Sequence, residues 1–291
     1  MHFVRERGGR IVKEDSLQDR VLARLYGSAV GRICLKPLVS PAVSGLLGAF
    51  LSSGVSRALI GPFVRSHKIR LEDFEKREFH SYNDFFTRRL APGARRVCEE
   101  PEAFVSPCDS RLSVYKIDDE SAFSIKHTGY TVQSLLRSRK LADRFAGGYA
   151  WVFRLCVEDY HRYIFVDGGV AAGTVRIPGV LHTVNPVAND KFPIYKENTR
   201  EYSLLSSDHF GTILQMEVGA MMVGKIQNRH VRGDRVYRGQ EKGNFAFGGS
   251  TVILMTSQGA VDPDKDILVN SMRGIETKVK LGERVGTSAD A

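Results

Sequence analysis

The sequence predicts an α+β protein in which a helical N-terminal segment covers a β-rich core. Through about residue 90, apolar residues recur at helical spacing between charged and small residues. From Phe104 onward, short runs rich in Val, Ile and Phe alternate with turn residues, as in antiparallel sandwiches or barrels. We therefore expect a helical segment over residues 1–90 and a β-rich body over residues 91–291, with no linker between them.

The net charge of +9 lies almost entirely in the N-terminal segment. Residues 1–70 contain 12 Lys/Arg and 4 Asp/Glu, so the rest of the chain is nearly neutral. The body is therefore no general binder of polyanions, and the basic segment points to nucleic acid or to an anionic membrane. Its charges are interleaved with aliphatic rather than stacking aromatic side chains, which argues against nucleic acid as a partner.

Two stretches of this segment suit a membrane interface. Residues 20–35 place seven apolar side chains on one helical face, with Arg20 and Arg24 opposite. Residues 37–56 have no charge, but their two prolines, three glycines and five serines are untypical of a spanning helix. We expect a basic amphipathic element lying on the cell membrane, peripheral on its cytoplasmic side; two helices packed on the core are the alternative.

Short sequence signals predict two further helices, and the spacing of the cysteines indicates whether they form disulfides or bind zinc. Ser81 or Asn83 can cap a short helix that ends before Pro92, and residues 131–145 read as a helix inside the β-rich body. The four cysteines form no C-x-x-C pair. We therefore expect neither a disulfide framework nor a zinc site.

The motif FGGST, residues 247–251, stands at the start of a predicted buried strand. The hydroxyl of Ser250 can attack the carbonyl of Gly249, whose missing Cβ leaves room for the tetrahedral geometry, and so convert the amide to an ester. Elimination and hydrolysis then leave a pyruvoyl group. This electrophile forms a Schiff base with an amine and accepts electrons as carbon dioxide leaves. For the pentapeptide alone, a turn is the simpler interpretation.

From residue 80 to its end the chain resembles the phosphatidylserine decarboxylase family, with the motifs in the family's order. The matching stretches are YNDFFTRRLAPGAR (82–95), SPCDSRL (106–112), DYHRYIFVDGG (159–169), LHTVNPVA (181–188), ENTREY (197–202), MEVGAMMVGKI (216–226), EKGNFAFGGSTVILM (241–255) and GIETKVKLGERVG (274–286). The first 70 residues match only in their helical, amphipathic character.

This resemblance implies a proenzyme that cuts itself between Gly249 and Ser250 into chains 1–249 and 250–291, which stay packed together. It implies a covalent pyruvoyl group made from Ser250, with no metal and no pyridoxal phosphate. The implied reaction is decarboxylation of phosphatidylserine in an anionic membrane to phosphatidylethanolamine, through a Schiff base, with no role for nucleic acid.

The resemblance also implies the site residues. Asp109, His161 and Ser250 match a charge relay for self-cleavage, in which a carboxylate orients the imidazole that takes the serine proton. Many members have Y-H-R-x-H, but here Ile164 replaces the second histidine, so we expect His161 to be the base. His182 is a second candidate histidine. The family's S-P-x-D-G segment ends here in Ser110 instead of glycine, which predicts a somewhat different turn.

Two alternatives stay open from the sequence. A pyruvoyl decarboxylase of the same fold can act on a soluble amino acid, although a basic amphipathic N-terminal segment is not expected there. A non-catalytic, membrane-binding or carrier-like β module is the other, because residues 274–286 also resemble biotinyl-type domains. Denaturing electrophoresis separates them, since a pyruvoyl enzyme gives two polypeptides and a carrier gives one.

Overall fold

A computed structural model describes residues 2–14, 24–28, 31, 33, 39–75, 78–125, 128–184, 193–220, 225–246 and 250–289. The strands are β1 His2–Glu6, β2 Ile11–Glu14, β3 Ala103–Val105, β4 Ser110–Lys116, β5 Ala122–Ile125, β6 Thr128–Thr131, β7 Tyr149–Leu155, β8 Arg162–Ile164, β9 Gly169–Ala171, β10 Val175–Ile177, β11 Arg200–Ser207, β12 Thr212–Val218, β13 Ile226–Asn228, β14 Arg235–Val236, β15 Glu241–Phe245, β16 Ser250–Thr256, β17 Val261–Pro263, β18 Ile275–Val279 and β19 Arg284–Ser288. The α-helices are α1 Pro41–Leu51, α2 Ile60–His67, α3 Tyr82–Phe86, α4 Val132–Leu136, α5 Arg139–Ala142, α6 Ile194–Glu197 and α7 Lys265–Met272. The 3₁₀ helices are Gly54–Leu59, Leu71–Asp73 and Asp143–Phe145.

An 11-stranded sheet forms the centre of the fold. Its order is β14–β9–β11–β12–β16–β7–β4–β18–β1–β2, with β10 pairing β11 off this path. The strands β1 and β2 lie at one edge of this sheet, and β1 pairs in parallel with β18. The pairs that join β12, β16, β7 and β4 are antiparallel. Three smaller sheets are β13–β15–β8, β17–β19–β3 and β5–β6. The predicted α+β class with an antiparallel β-rich core is confirmed, and the described strands of the large sheet have an open order.

The central strand β16 is buried along its whole length. Val252 and Leu254 pack into one apolar cluster, while Ile253 and Met255 pack into another on the opposite face. A strand covered on both faces reads as a continuous apolar run, which explains the sequence after the FGGST motif. Ser250 is the first residue of this strand, opposite Leu155 of β7. The predicted nucleophile therefore lies at the start of a strand that is buried along its whole length.

A buried ion pair joins the sheet β13–β15–β8 to the large sheet. The Nζ of Lys242 in β15 lies 2.6 Å from Oε1 of Glu217 in β12, and both side chains are fully buried. Asn228 donates to the same carboxylate and accepts from Lys242. Because buried charges need such partners, this network fixes how the small sheet sits over the face that bears Ser250.

The prediction that residues 1–90 are helical is wrong for residues 2–14. These residues form the β1–β2 hairpin, whose turn contains Gly8 with φ of +69°. β1 extends the large sheet beyond β18, and its Val4 is buried there. Pairing with the edge of an existing sheet outweighs the local preference for helix. The many charged residues of this stretch also obscure the alternation of apolar and polar side chains that is typical of a strand.

The helices α1 and α2 cover one end of the core. Ser40 caps α1 and Pro41 opens it, which is the usual place for proline in a helix. Among the described residues no single helix is long and apolar enough to cross a membrane. Residues 42–51 and 54–67 meet the length and composition together, but the chain bends by 77° between them. Of the predicted helix over residues 20–35, residues 24–28, 31 and 33 are described, and all of these except residue 28 are helical.

The other predicted helices form with sharper boundaries than expected. Ser81, rather than Asn83, caps α3 by accepting a hydrogen bond from the amide of Asp84. The helix predicted over residues 131–145 is broken at Arg137, whose φ is 53°, and restarts as α5 with Ser138 as its cap. The three described cysteines are free thiols: Cys98, Cys108 and Cys156.

Candidate active site

Ser250 and His161 form the centre of the site. The Oγ of Ser250 lies 3.1 Å from Nδ1 of His161, and both residues have no solvent exposure. His161 directly precedes β8, and its carbonyl accepts a hydrogen bond from Phe245 of β15. The small sheet thus positions the imidazole over the end of β16, where Ser250 begins the strand. This pairing of the two predicted residues is the contact on which nucleophilic chemistry depends.

The second ring nitrogen sets the tautomer of His161. Nε2 lies 2.9 Å from the carbonyl oxygen of Cys156, which can only accept a hydrogen bond. Nε2 therefore holds the proton, and the lone pair of Nδ1 faces the hydroxyl of Ser250. Asp159 maintains this turn, because its amide also donates to the Cys156 carbonyl and its carboxylate accepts from the Cys156 amide. The imidazole is thus oriented as a base toward Ser250.

The surroundings of His161 favour its neutral form. Burial, together with the nearby positive charge of Arg88, lowers the pKa of His161 to about 3. The ring of Phe86, the last residue of α3, lies 4.0 Å from the imidazole between centroids, at 32° between planes. A neutral imidazole can accept the serine proton at any physiological pH, although the imidazolium that results is costly in such a place.

Asp109 is placed beside the site but has other partners. Its carboxylate lies 2.6 Å from Nη2 of Arg95 and also accepts from the amide of Leu281, 2.8 Å away. Arg95 in turn reaches Asp73 at 3.3 Å. Among the described contacts, no hydrogen bond joins Asp109 to His161. The structure brings together two members of the predicted relay and leaves the third in an ion pair.

Ile164 lies in an apolar cluster that borders the site of Asp109. Its side chain is buried with Phe74, Tyr160 and Leu281, and Leu281 is the residue whose amide donates to Asp109. The second histidine of the resembling motif is thus replaced by an apolar side chain, and the carboxylate of Asp109 is paired with Arg95.

Two further sequence predictions concern the turn and the second histidine. Ser110 begins β4 and has no positive φ, so this turn does not need the glycine of the resembling motif. His182 lies against the Tyr26 hydroxyl at 3.3 Å and Glu197 at 3.5 Å, and burial lowers its pKa. His182 thus connects Tyr26 of the N-terminal segment with Glu197 of α6. Gly249 lies outside the described residues.

Three features of the site were not predicted from the sequence: Phe86, Arg88 and the carbonyl of Cys156. The first two belong to the stretch YNDFFTRR, which resembles the family's motif but does not by itself predict a contact with His161. A backbone carbonyl has no residue-type signature, and only the five-residue separation between Cys156 and His161 hints at a turn between them.

The side chains of Cys156, Glu158 and Asp159 bring potential metal-ligand atoms within 4.8 Å of one another. Both carboxylates are paired with Arg111, at 2.8 and 2.6 Å, and Arg154 donates to the Cys156 sulfur. Two guanidinium groups already neutralise this set and would repel a metal ion. These three residues therefore suit an ion-pair network that supports the His161 turn better than they suit a metal site.

Comparisons with known proteins agree on one family. Residues 82–287 match the family model described as phosphatidylserine decarboxylase. The chain is 41% identical to phosphatidylserine decarboxylase proenzyme 2 of Clostridium acetobutylicum over 96% of each chain. It is also 41% identical to a phosphatidylserine decarboxylase proenzyme of Ruminiclostridium cellulolyticum, over 93% of this chain and 92% of that protein. A third similar protein, from Clostridium tetani, has the same name, 41% identity, and coverage of 84% and 83%.

Proposed function

The chain belongs to the phosphatidylserine decarboxylase family, and from this premise we propose that it is a self-processing proenzyme whose Ser250 becomes a pyruvoyl group. Its reaction is the decarboxylation of phosphatidylserine to phosphatidylethanolamine, as the names of its relatives state for those proteins. The observation that carries the proposal is the hydroxyl of Ser250 facing the unprotonated Nδ1 of His161.

Self-cleavage begins when Nδ1 of His161 takes the hydroxyl proton and Oγ of Ser250 attacks the carbonyl carbon of Gly249. His161 then gives the proton to the amide nitrogen as the C–N bond breaks, which leaves an ester and a free amine. Loss of the Ser250 Cα proton expels the Gly249 carboxylate and produces dehydroalanine. Water finally replaces the nitrogen, which leaves as ammonia, and a ketone remains at the start of chain 250–291.

The position of Ser250 fits such a group. It lies at the end of a fully buried strand, so a carbonyl formed there is held rigidly and shielded from bulk water. When formed, the pyruvoyl carbonyl supplies an electron sink for an amine substrate that loses carbon dioxide. His161 then remains within reach of the same point and, as the residue that exchanged protons during cleavage, is our candidate to protonate the product.

We assign Asp109 an electrostatic part in self-cleavage. The positive charge of Arg88 opposes formation of the imidazolium, and the negative charge of Asp109 lies close enough to Arg88 to balance part of that positive charge. Its carboxylate therefore offsets positive charge around the base without touching it, a role that a relay aspartate otherwise fulfils by direct contact.

The helices at the N-terminal side expose an apolar face that also contains a cationic side chain. Leu46 and Val55 are 75% and 77% exposed, and Phe50 and Leu59 are also exposed, while Arg57 lies among them. Exposed apolar side chains flanked by cationic ones suit the interface of an anionic bilayer. We propose that this face docks peripherally on the cytoplasmic side of the cell membrane.

The test is an activity assay on purified protein with vesicles that contain phosphatidylserine. We expect two polypeptides on a denaturing gel and release of carbon dioxide with formation of phosphatidylethanolamine. Ser250→Ala, the control, should stay full length and inactive. Turnover of free serine but not of the lipid would favour the soluble amino acid alternative, and a single uncut, inactive wild-type polypeptide would favour the carrier-like module.

A further inference from the structure

Resting on the proposed function, we propose that Phe86 is a positioning residue that holds the imidazole of His161 in line with Ser250 and keeps water away from it. Phe86 belongs to α3, in the helical part of the chain, whereas His161 and Ser250 belong to the β-rich body. The helical segment therefore completes the active site as well as covering the core.

The ring contact is close and specific. The rings of Phe86 and His161 are 4.0 Å apart between centroids and inclined by only 32°, and Phe86 has no solvent exposure. One face of the imidazole is thus covered by a flat apolar surface, while its two nitrogens are used by Ser250 and Cys156. Rotation of the ring would break both hydrogen bonds and would collide with Phe86, so the covering residue restricts the base to one orientation.

Two arginines fasten the end of α3 to the turn that bears His161. Arg162 donates to the carbonyls of Thr87 and Arg88, at 2.7 and 3.2 Å. In the other direction, Arg88 donates to the carbonyls of Glu158 and Asp159, at 3.2 and 3.4 Å. These reciprocal charge-assisted hydrogen bonds join residues that are 70 to 75 positions apart in sequence, and they hold Phe86 against the imidazole.

The other side of Phe86 packs on the helical layer. It forms an apolar cluster with Leu51 of α1 and Tyr82 of α3, against which Leu47, Ile60 and Phe63 also pack. Residues of α1 that are exposed for membrane docking, Leu46 and Phe50, are neighbours in sequence of those that hold Phe86. A substitution that disturbs this apolar cluster should therefore displace Phe86 and, with it, the imidazole of His161.

The groups that face His161 determine how its pKa should change when Phe86 is replaced. Arg88 is the charged group that acts on the imidazole among the described residues, and Ser250 and the Cys156 carbonyl are its hydrogen-bond partners. Glu158 and Asp159, in the preceding turn, are paired with Arg111, and Arg162 is paired with Glu241. Removing the Phe86 ring admits water without adding a charge, so the pKa of His161 should return toward its ordinary value.

The experiment compares the pH dependence of self-cleavage in the full chain, made by cell-free translation and followed on denaturing gels. Phe86→Leu keeps an apolar side chain but removes the flat ring. Phe85→Leu is the matched control, because Phe85 is equally buried on the same helix, but its ring contacts Phe63, Phe79, Tyr82 and Arg88 rather than His161. Thermal unfolding of each variant with Ser250→Ala reports whether it folds, and Phe86→Met replaces Phe86→Leu where the latter is insoluble.

The wild type and Phe85→Leu should cleave at rates that change little between pH 8 and pH 5. Phe86→Leu should cleave more slowly at pH 8 and lose at least about fivefold more by pH 5, as a base with a pKa nearer 6.5 becomes protonated. Equal pH profiles for Phe86→Leu and Phe85→Leu would overturn the assignment of Phe86 while leaving self-cleavage intact. Absence of cleavage in the wild type at every pH would instead overturn the proposed function.

Discussion

His161 donates its Nε2 proton to the backbone carbonyl of Cys156, five residues earlier in the chain. In a serine–histidine–aspartate relay a carboxylate takes this place, where it both orients the imidazole and stabilises its charged form. A neutral carbonyl can orient the ring but contributes much less to stabilising the charge. We propose that this site separates the two tasks: Cys156 and Phe86 orient the imidazole, and Asp109 compensates charge.

The first prediction concerns the base. His161→Gln should slow self-cleavage by at least about 100-fold, the range in which removal of a general base usually falls. His182→Gln is the control, because His182 contacts Tyr26 and Glu197, and it should cleave like the wild type. The fraction of cut chain against time, read from denaturing gels, measures both. Cleavage lost in His182→Gln and kept in His161→Gln would exchange the two assignments.

The second prediction separates the charge of Asp109 from its ion pair with Arg95. Asp109→Asn removes the charge, and we expect self-cleavage to slow by about tenfold or more, because the positive charge of Arg88 then opposes the imidazolium without a counter-charge. Arg95→Gln removes the same largely buried ion pair but keeps the carboxylate and its charge near Arg88, so it should cleave within about threefold of the wild type. Equal losses in the two variants would give Asp109 a purely structural role.

The third prediction concerns stability against pH. The pKa of His161 is about 3 in the folded chain and about 6.5 when unfolded, so between these values the unfolded chain binds more protons. Stability should therefore fall as the pH falls through 6.5, by about 2–3 kcal/mol between pH 7 and pH 4.5. Urea unfolding of Ser250→Ala measures this loss. Adding His161→Gln should remove that part of the slope, and an unchanged slope would contradict the burial of a neutral histidine.

The fourth prediction concerns docking. Replacing both Leu46 and Val55 by Gln should weaken binding to phosphatidylserine-containing vesicles by about tenfold or more, because two exposed aliphatic side chains no longer enter the interface. Val231→Gln is the control, since Val231 is 68% exposed in the loop between β13 and β14 of the β-rich body. Vesicle flotation measures the bound fraction. Equal binding of all three proteins would place the docking surface elsewhere.

Much of the core was predictable because its signals are local. The strands β4, β7, β12 and β16 are apolar runs bounded by turn residues, and a buried strand needs little more to be recognised. Ser250 and His161 were identified from their motifs. The hairpin β1–β2 and helix α7 were not predicted, because charged residues obscure the pattern of the first and the second is short, with few buried side chains.

The contacts that complete the site could not be read from the sequence. Asp109 is paired with Arg95, and Phe86 covers His161, because elements distant in sequence pack together. Tertiary packing and the local balance of charge decide these contacts, and neither produces a periodic pattern or a motif in the sequence. The partner of His161 Nε2 is a backbone atom, which residue identity does not encode.

The most direct test of the central claim is the intact mass of the short chain that begins at residue 250. If Ser250 cuts its own peptide bond and becomes a pyruvoyl group, this chain should be lighter than the serine-initiated peptide by one molecule of ammonia. Borohydride with phosphatidylserine should also attach the lipid to it. A short chain with an unmodified amino-terminal serine, or the same fragments from Ser250→Ala, would mean ordinary proteolysis and would contradict the account.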